Sequence, residues 1–195
     1  PVDAGLGGGS SDAAATLRCL NELWNLNWPI ERLSPIAARL GSDVPFFLNP
    51  RPAIIRGRGE QVEPLAAAWA GWLAIVVPPY GLATAQVYSL WDESPHPSSP
   101  RRSVCPDPSL SAVELSSRLF NDLEAAAFAG EPRLKGLHAL LERSGDRPVR
   151  MTGSGSCLFA LFDSPGEAAA WKQRVSTDLD ETTGIQAVRT THGRR

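Results

Sequence analysis

Along most of this chain the apolar positions fall into helical and strand-like spacings. Ala13, Leu17, Leu20 and Trp24 recur at three- and four-residue intervals, which predicts a helix over about 12–25 with one apolar face. A second helical stretch covers 30–40. Inside it Ser34-Pro35 matches an N-cap followed by proline at the first helical position, which allows two short helices there. Gly41 is placed to end that stretch. Next come the mostly apolar run Asp43-Val44-Pro45-Phe46-Phe47-Leu48, strand-like Ala53-Ile54-Ile55 and a turn at Gly57-Arg58-Gly59. Residues 72–77 read as a buried strand and 84–91 as a short helix. Residues 92–109 turn to proline, serine and charge, the composition of an exposed loop. Helices are predicted at 111–129 and 132–143. Arg150-Met151-Thr152 then passes through Gly153-Ser154-Gly155-Ser156 into a strand at 157–162. Ser164-Pro165 caps a helix reaching about Asp178, and 185–191 reads as the last strand. Strands and helices alternate in the last third without a doubly wound pattern. The expected class is therefore α+β, with helices on one face of an antiparallel sheet. There is no internal repeat.

The densest chemistry lies at the start. Four of the five positions from Gly5 to Gly9 are glycine, and they run into the helix-forming Ala13-Ala14-Ala15. Ser10 or Ser11 stands where an N-cap belongs. An anion there would meet unpaired N–H donors and the positive end of the helix dipole. No lysine follows the glycines, so the loop is not a Walker A loop. The third glycine of a dinucleotide fingerprint falls on Ser10, which excludes that motif too. Ser10 and Ser11 carry hydroxyls that can bind phosphate oxygens or a metal. Asp12 beside a polyphosphate would repel it unless a cation such as Mg²⁺ lies between, making Ser11 and Asp12 candidate metal ligands. The competing reading is a plain turn, with Asp12 improving the helix start.

Asp43 follows a helix terminator and stands at the lip of an apolar run. A carboxylate there either caps a turn or serves as a catalytic group that accepts or orients a hydroxyl proton. Gly153-Ser154-Gly155-Ser156 is a second small-residue turn that lets a backbone approach a ligand closely. Tyr88, on the short helix after Thr84, reads first as half-buried packing. His96, His138 and His192 stand in unrelated contexts and receive no catalytic role.

Composition narrows the choices. With 19 basic and 21 acidic residues the charge is nearly balanced, which argues against general nucleic-acid binding, and Arg101-Arg102 and Arg194-Arg195 read as solvated surface. Cys19, Cys105 and Cys157 are widely spaced with no C-x-x-C pair, which makes a disulfide framework or zinc site unexpected and a cytoplasmic location the default. No apolar run approaches membrane-spanning length. The chain opens at Pro1, directly on its functional loop. It is therefore expected to be the carboxy-terminal part of a longer protein.

Three segments together resemble a known set. They are Pro1 to Ala14 with its Gly5-Leu6-Gly7-Gly8-Gly9-Ser10-Ser11-Asp12, Leu40-Gly41-Ser42-Asp43-Val44-Pro45-Phe46-Phe47, and Met151-Thr152-Gly153-Ser154-Gly155-Ser156-Cys157. They are similar to the second motif, the catalytic-aspartate segment and the third motif of the GHMP kinases. Asn121-Asp122-Leu123-Glu124 also resembles a stretch typical of one branch of that family.

The resemblance implies ATP-dependent phosphorylation, with Mg²⁺, of a hydroxyl on a small molecule. In that branch the acceptor is the cytidine-diphosphate-linked methylerythritol of the non-mevalonate route to isoprenoid precursors. A homoserine- or mevalonate-type kinase, or a non-catalytic nucleotide-binding fragment, are the alternatives. Carried over by position, Pro1, Val2, Asp3, Ala4, Gly5, Leu6, Gly7, Gly8, Gly9, Ser10 and Ser11 would form the ATP phosphate loop. Asp43 would be the catalytic aspartate. Thr84, Tyr88 (now as an aromatic that stacks on the cytosine), Gly153, Ser154 and Gly155 would contact substrate, the glycine turn also backing the phosphate site. The implied fold pairs a ribosomal-protein-S5-like first domain, incomplete here over 1–68, with a ferredoxin-like second domain over 69–195. The family's catalytic lysine and adenine pocket would lie in the missing part, so this chain alone is expected to be poorly stable or inactive.

Overall fold

The computed structural model describes residues 4–66, 69–94 and 107–190. Outside them lie Pro1, Val2 and Asp3 of the glycine loop, and residues 95–106 of the proline-rich loop with His96, Arg101, Arg102 and Cys105. His192, Arg194 and Arg195 also lie outside. The described residues form two compact units, one of 7–66 and one of 4–6 with 69–190.

The first unit is helical. It holds α1 (Gly8–Leu23), α2 (Ile30–Leu40), α3 (Val44–Leu48) and a hairpin of β1 (Ala53–Arg56) with β2 (Gln61–Pro64). Its core is Ala14 from α1, Leu33 and Ala37 from α2, and Val44 and Leu48 from α3. Two expectations are corrected here. α1 starts at Gly8, four residues before the expected Asp12, and its N-cap is Gly7 in the left-handed region (φ 68°), not Ser10 or Ser11. A left-handed cap suits glycine because it has no Cβ to clash. α2 is one helix over the expected 30–40 with Pro35 inside it, so the division into two short helices that Ser34-Pro35 allowed does not occur. Pro35 forfeits one backbone bond, but Leu33 and Ala37, one turn apart, are both buried and hold the helix together across it.

The second unit is built on a four-stranded sheet. In chain order it contains β3 (Trp72–Val77), α4 (Thr84–Asp92), α5 (Ala112–Arg118), α6 (Glu124–Gly130), α7 (Pro132–Gly145), β4 (Arg150–Met151), β5 (Leu158–Phe162), α8 (Pro165–Ser176) and β6 (Gly184–Arg189). The strand order is β4-β5-β3-β6 and every neighbouring pair is antiparallel, a ferredoxin-like βαββαβ arrangement. Central β3 pairs Trp72 with Phe162 on one side and with Arg189 on the other.

Alternation along the strands sorts the side chains between two faces. Ala74, Val76, Leu158, Ala160 and Phe162 join Leu134, Leu141 and Trp171 in the main core. Leu73, Phe159 and Leu161 face the other way and pack with Trp69, Ala112 and Leu115. This corrects the one-faced layout: α5 covers the second face, pinned by the Ala112 N–H donating to Asp163 at 2.8 Å.

The helix expected over 111–129 is also corrected. α5 opens with a capping box, in which Ser111 accepts from the Glu114 N–H while Glu114 accepts from the Ser111 N–H. It stops at Leu119, whose backbone is extended (φ −69°, ψ 144°), and α6 begins only at Glu124. Asn121 lies in the break, and its side-chain oxygen accepts from the Leu123 N–H at 3.0 Å. Side chains that bond nearby backbone in this way compete with the helical ladder.

Candidate functional site

Two of the segments singled out from the sequence, the glycine-rich entrance to α1 and the Asp43 run, take shape in the helical unit. At the entrance of α1 the N–H groups of Gly8, Gly9 and Ser10 have no partner within the helix, because the first turn has no preceding carbonyl to use. The Ser11 N–H is the first to close a backbone bond, to Gly7 O at 2.9 Å. Its hydroxyl donates to Gly8 O at 2.7 Å, which leaves the oxygen able to accept. Gly7 is glycine for the fold's sake, since a Cβ there would sit 2.7 Å from the Phe47 ring of α3. Gly9 is different. It is helical, and a Cβ built on it would meet no described atom within 4 Å. Glycine inside a helix is destabilising relative to alanine, so packing gives no reason for a bare backbone there. A ligand that must come close would supply one.

Asp43 immediately precedes α3 and is exposed, and its side chain makes no capping bond to that helix. The structural role open to it from sequence, closing a turn, is thus not performed at the helix start. Its backbone is nonetheless firmly placed. Val44, next in line, is buried in the core, and on the other side the Ser42 carbonyl lies where a Cβ on Gly59 would have to go. Gly59 is buried with φ 116°, so the hairpin turn braces the segment that carries Asp43.

The sheet unit gathers another group. Thr84 opens α4, and its hydroxyl pairs with that of Ser154 at 2.9 Å. Tyr88 lies one turn on, on the same helix face, and is 50% exposed while its neighbour Val87 is buried. Gly153 and Gly155 both have positive φ (55° and 87°). Against this turn lies the first part of the glycine loop. Thr152 donates its hydroxyl to Gly5 O at 2.6 Å, and the Cys157 N–H donates to Ala4 O at 3.2 Å. A Cβ on Gly5 would run into the Thr152 carbonyl, so Gly5 (φ 69°) tolerates no side chain. Two glycine-rich stretches almost 150 positions apart therefore touch. Cys157 is buried, which pushes its thiol up and keeps it protonated.

Sequence reasoning gave no role to Thr152, Asn121 or Glu124. Asn121 donates to Met151 O at 3.0 Å and to Gly153 O at 2.7 Å, and Glu124 accepts from the Met151 N–H at 2.8 Å. Two signals were available, the resemblance of Asn121-Asp122-Leu123-Glu124 to a stretch of one family branch and an Asn-Asp pair in the middle of an otherwise helix-forming run. Among the described residues no three His, Cys, Asp or Glu side chains cluster to hold a metal. Mg²⁺ accompanying a nucleotide needs no such cage, because one carboxylate, water and the phosphates complete its shell. Exposed Asp12 and the Ser11 hydroxyl oxygen, which donates to Gly8 O and can still accept, fit that requirement. Among the described residues no helix is long and apolar enough to cross a membrane.

These features define an α+β protein whose longest helix is entered through bare amides suited to an anion. Comparison with known proteins makes the assignment specific. The family model for the GHMP kinases N terminal domain matches residues 1–50, and that for the GHMP kinases C terminal matches 108–181. A 4-diphosphocytidyl-2-C-methyl-D-erythritol kinase of Exiguobacterium sibiricum is 38% identical over 169 residues, covering 86% of this chain and 59% of the relative. A crystal structure of 4-(cytidine 5'-diphospho)-2C-methyl-D-erythritol kinase superposes with a TM-score of 0.70 at 32% identity, covering 97% of this chain and 67% of that one. The homoserine kinase of Cytophaga hutchinsonii superposes with a TM-score of 0.73 at 18% identity, covering 98% and 67%, a likeness of fold alone. The chain belongs to the GHMP kinases. It spans about three-fifths of the length of the curated relatives it matches.

Proposed function

We propose that this chain forms part of a cytoplasmic kinase that transfers the γ-phosphoryl group of ATP to a hydroxyl of the cytidine-diphosphate-linked methylerythritol. The observation that carries the reading is the shared name of relatives 38–39% identical over most of the chain, set beside an exposed, uncapped Asp43 where the family places its aspartate.

The amides of Gly8, Gly9 and Ser10, with the dipole of α1, would hold the triphosphate. The Gly5 to Leu6 stretch, which leads the chain into α1, would shape its approach. Mg²⁺, held by Ser11 and Asp12, would offset phosphate charge. Asp43 accepts the proton of the substrate hydroxyl as its oxygen attacks the γ-phosphorus. One O–P bond forms, the bond from that phosphorus to the β–γ bridging oxygen breaks, and ADP leaves. The chain acts chiefly by positioning and electrostatics, as phosphoryl transfer demands. Tyr88, exposed one turn beyond Thr84, offers its ring to the cytosine.

The test is a substrate panel. The chain 1–195, and in parallel the product of the reading frame extended upstream of the Pro1 codon, are incubated with ATP, Mg²⁺ and the cytidylated alcohol, mevalonate or homoserine. Phosphorylation of the cytidylated alcohol in preference to the other two is the expected result. Preference for mevalonate or homoserine, or no turnover by either protein, would reject the assignment.

A further inference from the structure

We infer that Asn121 and Glu124, in and just after the break between α5 and α6, are positioning residues. They set the second glycine turn and, through Thr152, the seating of the glycine loop at Gly5. The inference rests on the proposed function only for its effect on ATP use; its structural content stands separately.

The bonds form a relay confined to the sheet unit. Asn121 spends both amide hydrogens on the backbone of the turn, donating to Met151 O and Gly153 O, and its oxygen takes the Leu123 N–H. Glu124 receives the Met151 N–H at 2.8 Å, so Met151 is gripped at both its N–H and its C=O. Arg150 adds a bond from its guanidinium to Leu119 O at 3.0 Å, tying the start of the break to β4. Within the turn, the Thr152 N–H donates to Cys157 O and the Gly155 N–H to Thr152 O, at 3.0 and 2.9 Å. The Thr152 hydroxyl carries the relay to Gly5 O.

Chemistry restricts what can stand at these positions. Only an amide at 121 can donate twice to carbonyls and accept once. A carboxylate there would face the Met151 and Gly153 oxygens with no hydrogen to give. Position 124 needs an acceptor alone. The cost of the arrangement is visible in the fold, where a run that could have been one helix is broken so that a side chain reaches the turn. Departures from local preference are expected at functional sites.

Backbone amide hydrogen exchange of the ligand-free chain, read by mass spectrometry, tests the relay. Asn121→Asp should speed exchange about tenfold at the Thr152 and Gly155 amides and at the Cys157 N–H that donates to Ala4 O, with β3 unchanged. Glu124→Gln, which keeps an acceptor, should stay near the parent, whereas Glu124→Ala should resemble Asn121→Asp. Thr152→Val should loosen the Cys157 amide where it meets Ala4 O, and Thr152→Ser should restore it. In the extended, active protein the loosening variants should raise KM for ATP about tenfold with kcat within about threefold of the parent. Exchange changes confined to 119–124, or spread over the whole sheet unit, would overturn the relay. So would an unchanged KM for ATP in a protein that phosphorylates its substrate. Failure of the kinase assignment appears instead as absent turnover in the parent, and the exchange pattern then decides the relay by itself.

Discussion

The two compact units differ in how completely they cover their own apolar surface. The sheet unit buries sixteen residues in its main core and adds a second cluster under α5. The helical unit buries five, and leaves Leu23, Trp24, Leu26, Ile30, Leu40 and Ile55 exposed. The groups differ in the same direction. In the sheet unit the turn at 151–157 is bonded to Asn121, Glu124 and Gly5, while in the helical unit Asp43 makes no capping bond and the first three amides of α1 have no partner within the helix. Thr84, Ser154, Gly153 and Gly155 of the sheet unit are hydrogen-bonded within the protein, whereas Asp43 of the helical unit is exposed and makes no capping bond. Local stability is expected to follow suit, with the helical unit opening first.

The sharpest way to break this contrast is at Asp43. In an active, extended protein Asp43→Asn should lower kcat by about 10²- to 10⁴-fold with ATP binding, measured by calorimetry, largely kept. Unchanged turnover would return Asp43 to a surface role. Next in size is the core. Leu134→Ala, at a fully buried site in the larger cluster, should cost about 2–5 kcal/mol in denaturant unfolding. Leu48→Ala in the thinner cluster should fall near the bottom of that span, since fewer neighbours lose contact. Equal losses would show the units to be equally well packed.

Gly9→Ala separates fold from ligand at a single atom. Stability should rise by about 0.5–1 kcal/mol, because alanine is the better helix residue. KM for ATP should rise about tenfold if phosphate approaches that backbone. A stable variant with unaltered ATP affinity would remove Gly9 from the loop's binding surface. The smallest expected effect is at Ser111, whose replacement by Ala loses one half of a capping box and should cost about 1 kcal/mol in thermal unfolding.

Much of the fold was legible because its signals are local. The strands at 72–77 and 158–162, the Ser164-Pro165 cap of α8 and the turn glycines at 153 and 155 all follow from neighbours in sequence. The misreadings share a cause in distant contacts. Pro35 looked like a helix start, yet Leu33 and Ala37 are buried together and carry α2 through it. Residues 111–129 looked like one helix, yet the backbone of a turn thirty positions away draws Asn121 out of it. Ser10 and Ser11 looked like caps, yet Gly7, lying against Phe47, takes that place.

The amino-acid sequence by itself determined the α+β class, the family and the identity of the chemical groups, since all three reside in residue types and their short-range spacing. Tertiary structure alone decided which of those groups meet. That Thr152 reaches Gly5, that Asn121 grips Met151 and Gly153, and that Gly59 leaves room for the Ser42 carbonyl beside Asp43 are consequences of chain closure over long separations. No local preference encodes such encounters, because their free energy appears only once the intervening chain has folded.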